Sequence, residues 1–150
     1  MYATHLHLML THFPIVGILI GIGILIYGMF IKNDSVKKVA LTLFIISGIF
    51  TIPIYFTGEW SKLIVEKVPG ISDDFIKSHE AMAIKATFLA NILLVLSIIN
   101  LIAIKKQLVF AKQLLVVTLL FSIVTFSFFI KVANFGGEIR HSEIIEHRSN

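Results

Sequence analysis

A chain of 150 residues that is 57% hydrophobic, 15% charged and of net charge +4 carries more apolar surface than a water-soluble domain can bury, which places it in a bilayer. Its basic residues form no stripe interleaved with stacking aromatics, so nucleic acid is excluded as a partner. The absence of cysteine removes disulfides, cysteine-ligated iron–sulfur clusters, thiolate zinc sites and the C-x-x-C-H attachment of c-type haem.

No Lys, Arg, Asp or Glu precedes Lys32, and the first transmembrane helix is predicted over residues 8–31. A secretory signal needs a basic leading segment, and this one has only histidines, so the segment is read as a permanent helix. Pro14 is expected near its start, where a missing N–H is tolerated. Further uncharged runs predict helices over 37–56, 75–104 and 108–134. Between the second and third, Trp60, Leu63, Ile64 and Val68 at helical spacing predict a short helix lying at the membrane interface, ended by Pro69-Gly70. Ser72-Asp73-Asp74 is a helix-start signal for the third helix. Asn134-Phe135-Gly136-Gly137 is expected to break the fourth, turning Glu138, Arg140 and His141 back over the bundle mouth.

The two short turns force antiparallel neighbours, so the predicted fold is an all-α, up-down four-helix membrane bundle forming a single domain over residues 1–150. Lys32, Lys37 and Lys38 in one turn and Lys105, Lys106 and Lys112 in the other predict that both turns are cytoplasmic. All six histidines, His5, His7, His12, His79, His141 and His147, then fall on the opposite face together with both chain ends. An ionisable ring beside an apolar helix end is a functional candidate, which singles out His12, His79 and His141.

On helix three, His79, Ala83, Ala86 and Ala90 share one face, and on helix one His12 aligns with Val16, Leu19 and Gly23, beside the pair Gly17 and Gly21. Such small residues either leave room for a flat ligand or only let two backbones approach closely. Lys85, Lys131 and Arg140 are candidates to meet acidic groups of a ligand, or simply extend toward the headgroups. Asn91 and Asn100 are expected to hydrogen-bond between helices.

The run His7-Leu8-Met9-Leu10-Thr11-His12-Phe13-Pro14 resembles the His-x4-His-Phe-Pro opening of a family of small bacterial four-helix membrane proteins known only as a domain of unknown function. Thr57-Gly58 closing helix two, Ser78-His79-Glu80-Ala81 opening helix three, and Gly136-Gly137 followed by His141 agree in order. Members of that family often have Pro where this chain has Leu8. The resemblance implies haem binding in a respiratory membrane.

With imidazole as the main ligand source, the expectation is a b-type cytochrome-like subunit of the bacterial inner membrane, more an electron-transfer or accessory subunit than a stand-alone enzyme. His12 and His79 would be the axial pair, and His7 and His141 a second ligand set or supporting groups. Its electron partners would be a periplasmic cytochrome, membrane quinol or other respiratory subunits. Two other readings stay open: copper or zinc held by three or four histidines with Glu80 or Glu138, and a structural subunit of a respiratory complex without a cofactor.

Overall fold

A seven-residue repeat organises the chain. The computed structural model describes residues 2–68, 71 and 73–140, in four helices: α1 Tyr2–Phe30, α2 Asp34–Val65, α3 Asp73–Lys105 and α4 Ala111–Arg140. All four are long and apolar enough to cross a membrane, as a multi-pass membrane protein requires. Each helix packs on the next in the chain, and α4 closes against α1. α1 and α3 therefore stand on one diagonal of the bundle, α2 and α4 on the other.

The buried positions of α1 are Pro14, Ile18, Gly21, Leu25 and Gly28, separated by four, three, four and three residues. α3 follows the same rule through Ala86, Ala90, Leu93, Ser97, Asn100 and Ile104, and α4 through Leu115, Thr118, Ser122, Thr125 and Phe129. A mean spacing of 3.5 keeps one narrow seam of each helix facing the bundle axis, the geometry of left-handed supercoiled bundles. The opposite faces are apolar as well: Phe13, Phe88 and Leu120 are 56%, 67% and 61% exposed. Lipid, rather than water, is the solvent these faces suit.

Glycine brings α1 and α2 into close register. A Cβ at Gly21 would collide with the Phe44 ring, and one at Gly28 with the backbone of Lys37. In α2, Gly48 makes room in the same way for Leu94 of α3. Interhelical polar contacts are few and specific. Asn91 donates to Thr51 Oγ1 at 3.2 Å, and Asn100 donates to Thr118 Oγ1 at 2.6 Å, the role expected of both asparagines.

The α1–α2 and α3–α4 turns are built alike. Lys32 and Gln107 adopt left-handed φ values of 54° and 52°. In the first, Asn33 N–H donates back to Gly28 O and Lys32 N–H to Met29 O. In the second, Leu108 N–H donates to Ala103 O and Gln107 N–H to Ile104 O. Each is a Schellman cap that satisfies the last carbonyls of the odd-numbered helix. Asn33 then caps α2, its side chain accepting from Ser35 and Val36 N–H.

The helices run further than the sequence suggests, chiefly at the end opposite these turns. α1 begins at Tyr2, so Pro14 lies well inside it, and α2 also holds an internal proline, Pro53. The segment expected to form a separate interfacial helix is the continuation of α2 through Trp60 to Val65. Gly58 does not close α2, and Gly136-Gly137 does not break α4, which continues to Arg140. A helical glycine costs about 1 kcal/mol against alanine, and packing against a neighbouring helix offsets it at Gly58 and Gly136. Pro69, Gly70, Ser72, His141 and His147 lie outside the described residues.

Gly23, expected to leave space beside a ligand, is exposed and meets nothing within 4 Å. It stands two residues past Gly21 and so faces away from the seam. Gly21→Leu should therefore destabilise the bundle by about 1–3 kcal/mol through overpacking. Gly23→Leu should be neutral or stabilising by up to about 1 kcal/mol. Reversible unfolding of both variants in mixed micelles checks the contrast.

Candidate functional site

The 4-3 spacing of the α1 seam extends backwards from Pro14 through Thr11 to His7. On α3 it extends from Ala86 through Ala83 to His79. Both histidines are half-buried and stand on diagonal helices at the end of the bundle opposite the two turns. His7 is 25 residues from Lys32 and His79 is 28 from Gln107, so each lies about 40 Å along its helix from the turn. That is at or just beyond the edge of a hydrocarbon core about 30 Å thick.

Each imidazole is clamped by the other helix of its own hairpin. His7 Nδ1 lies 3.1 Å from the Ile54 carbonyl oxygen, and His79 Nδ1 lies 3.1 Å from that of Val132. A carbonyl oxygen only accepts, so Nδ1 carries the proton in both rings and Nε2 is left with its lone pair. Thr57 Oγ1, 3.2 Å from His7 Nδ1 and donating to the backbone of its own helix, is a second acceptor for the His7 N–H. Neither Nε2 has a hydrogen-bond partner among the described residues.

Four residues beyond each accepting carbonyl stands a glycine. A Cβ on Gly58 would lie 3.1 Å from His7 Cε1, and one on Gly136 would lie 3.2 Å from His79 Cε1. These glycines are where they are because the rings pass over them. The two hairpins thus present the same device, an imidazole held by a carbonyl of the partner helix and lying across that helix's glycine.

His12 belongs elsewhere. Five residues turn a helix about 140° beyond a full revolution, so with His7 on the seam His12 points outward. It is exposed, and its Nδ1 is bonded at 2.7 Å to Leu8 O of its own helix. The fold brings His7, and not His12, to the level and seam of His79. His5 is exposed.

Ala86 is buried and Ala83 half-buried on the His79 seam, so that stripe faces inward as expected. The cations are arranged otherwise. Lys85 and Lys131 are exposed, each one position off the seam, and Lys131 Nζ sits 5.7 Å above the Phe128 ring of its own helix. The side chain of Arg140 lies outside the described residues. The cation next to the site is one the sequence did not single out: Lys62 of α2, paired with Glu80 of α3 at 2.6 Å. Glu80 follows His79 directly, so this bridge ties α2 to α3 beside the imidazole.

Among the described residues, no three or more His, Asp or Glu side chains converge as a metal site would require. A copper or zinc centre with three or four protein ligands is therefore not assembled by them. No family model, curated protein or solved structure matches the chain.

Proposed function

We propose that the protein is a b-type cytochrome-like membrane subunit in which His7 and His79 together hold one non-covalent haem at the histidine end of the bundle. The observation that carries this reading is the duplicated clamp: two imidazoles from diagonal helices, each with Nδ1–H donated to a backbone carbonyl and Nε2 unengaged. Metal-bound histidines characteristically donate their second ring nitrogen in this way, which fixes the ring and raises its basicity. Two neutral nitrogens with no anionic ligand suit a haem, which brings its own four nitrogens and needs only axial partners. A two-coordinate site would leave copper or zinc short of ligands. The bound group would supply one-electron redox chemistry. The chain would supply the two imidazoles that hold it and the glycine clearances over which their rings lie.

Lys62 replaces Lys85 and Lys131 in this reading as the cation placed to meet propionates, exchanging with Glu80. The lysine-rich turns face the cytoplasm of a bacterial cell, and the haem lies toward the periplasm. Electrons would pass to or from a periplasmic cytochrome, a quinol or a neighbouring respiratory subunit.

Protein produced with abundant haem should purify coloured, with a Soret band and the sharp reduced α-band of a six-coordinate low-spin centre. His7→Ala and His79→Ala should each abolish that spectrum, whereas His12→Ala should retain it. A colourless wild type, or loss of the spectrum in His12→Ala alone, refutes the assignment.

The glycines provide a separate check. Gly58→Leu and Gly136→Leu should reduce haem occupancy at least tenfold by displacing the rings, although leucine is the better helix former. Haem-to-protein ratios by pyridine haemochrome, set beside helicity by circular dichroism, separate loss of the site from loss of the fold.

A further inference from the structure

Outside the haem-type site, α1 and α2 leave a groove of about 350 Å³ open to the lipid face, lined by His12, Phe13, Gly17, Ser47 and Phe50 among others. Its wall is an aromatic pair: the Phe13 and Phe50 rings are stacked with centroids 4.8 Å apart and planes 13° from parallel. At one end stands His12. Its Nδ1 proton is committed to Leu8 O at 2.7 Å, so Nε2 is an acceptor and can take an O–H but cannot donate.

At the other end stands Ser47, only 2% exposed. Buried hydroxyls in membrane helices normally satisfy themselves on the preceding turn, and most of those here do so, although Thr118 instead accepts from Asn100 and Thr4 Oγ1 has no partner. Thr51 donates to Gly48 O at 2.6 Å, Ser61 to Thr57 O at 2.7 Å, Ser97 to Leu93 O at 2.7 Å and Thr125 to Phe121 O at 2.9 Å. Ser47 makes no hydrogen bond among the described residues. Its hydroxyl lies where a Cβ of residue 17 would be, so glycine at that position keeps it open to the groove. A buried hydroxyl without a partner is expensive in an apolar setting, and the groove is the direction from which a partner can come.

We infer that this groove is a binding site for the head group of a lipid-soluble hydroquinone, one hydroxyl donating to His12 Nε2 and the oxygen at the far side of the ring meeting Ser47. An acyl chain fills the same volume but leaves both polar groups unmet, whereas the stacked phenylalanines offer an aromatic ring a flat wall. The membrane face is also the side from which such a molecule arrives. Because the acceptor nitrogen lacks a proton, the reduced form of the ligand is bound in preference to the quinone. The binding itself is independent of the haem; its functional use, within about two turns of His7 on the same helix, rests on the haem reading.

The test is the retention of a decyl-tailed benzoquinol, kept reduced, by protein-containing nanodiscs over empty nanodiscs of the same lipid. His12→Phe, which keeps an aromatic ring but removes the acceptor, should weaken the excess retention at least tenfold, and Ser47→Ala several-fold. His5→Phe, outside the groove, and His7→Ala, which removes the proposed haem ligand, should leave it unchanged. Decylbenzene, lacking both oxygens, should show no specific retention. Equal retention of quinol by wild type, His12→Phe and Ser47→Ala, or equal retention of decylbenzene, overturns the inference and leaves the groove as a lipid contact. Loss of the haem spectrum in His7→Ala is scored independently, so failure of one reading does not carry the other.

Discussion

The constraint on which the rest depends is the alternation of three and four residues between inward-facing positions on α1, α3 and α4. It sets which side chain of any neighbouring pair enters the bundle and which meets lipid, in a molecule whose two kinds of surface are almost equally apolar. Hydrophobicity cannot make that choice here. Size and polarity contribute instead: the small and polar residues glycine, alanine, serine, threonine and asparagine are set into the seams between buried Ile18, Leu25, Phe44, Leu93 and Leu115, and other bulky aliphatic and aromatic residues face outward. Without a hydrophobic difference between protein core and lipid tails, close backbone approach and a few hydrogen bonds hold the helices together. Gly21 against Phe44 and Asn100 on Thr118 are the local forms of that principle.

The same register produces the paired imidazoles. Within a hairpin, a histidine on one seam comes level with a glycine on the other because both stand nearly equally far from the turn: His7 and Gly58 are 25 and 26 residues from Lys32, His79 and Gly136 are 28 and 29 from Gln107. With matching Schellman turns at the other end, the two hairpins are two versions of one unit related about the bundle axis. Each unit orients one ring by a backbone carbonyl, an acceptor that side-chain substitution cannot remove. The orientation is thus written into the helix pair, while the identity of the ligand atom is written into a single residue.

Much of this was legible in the sequence, and the reasons for the remainder are physical. Uncharged runs and lysine-rich turns announce four spans, and the alignment of His79 with Ala83 and Ala86 is visible by counting. The half-burial of His7 is harder to read, because it precedes the first long apolar run and nearness to a chain end reads as exposure. Extending the 4-3 spacing back from Ile18 through Pro14 and Thr11 reaches His7 and passes over His12, a signal that was present. Gly58 and Gly136 were read as helix ends because glycine usually punctuates; only the position of a ring on the neighbouring helix reveals them as clearances. Lys62 carried no signal, since its partner Glu80 comes from a separate helix, and Ser47 none, since an unengaged hydroxyl cannot be told from a self-satisfied one by its letter.

Proline is confined to one of the two units. Pro14 and Pro53 interrupt α1 and α2, whereas α3 and α4 contain none. Each removes a backbone bond and loosens its helix at that level, just on the turn side of His7 and of the carbonyl of Ile54 that steadies it. The hairpin that carries His7 therefore lacks two backbone hydrogen bonds of a kind that the hairpin carrying His79 keeps throughout.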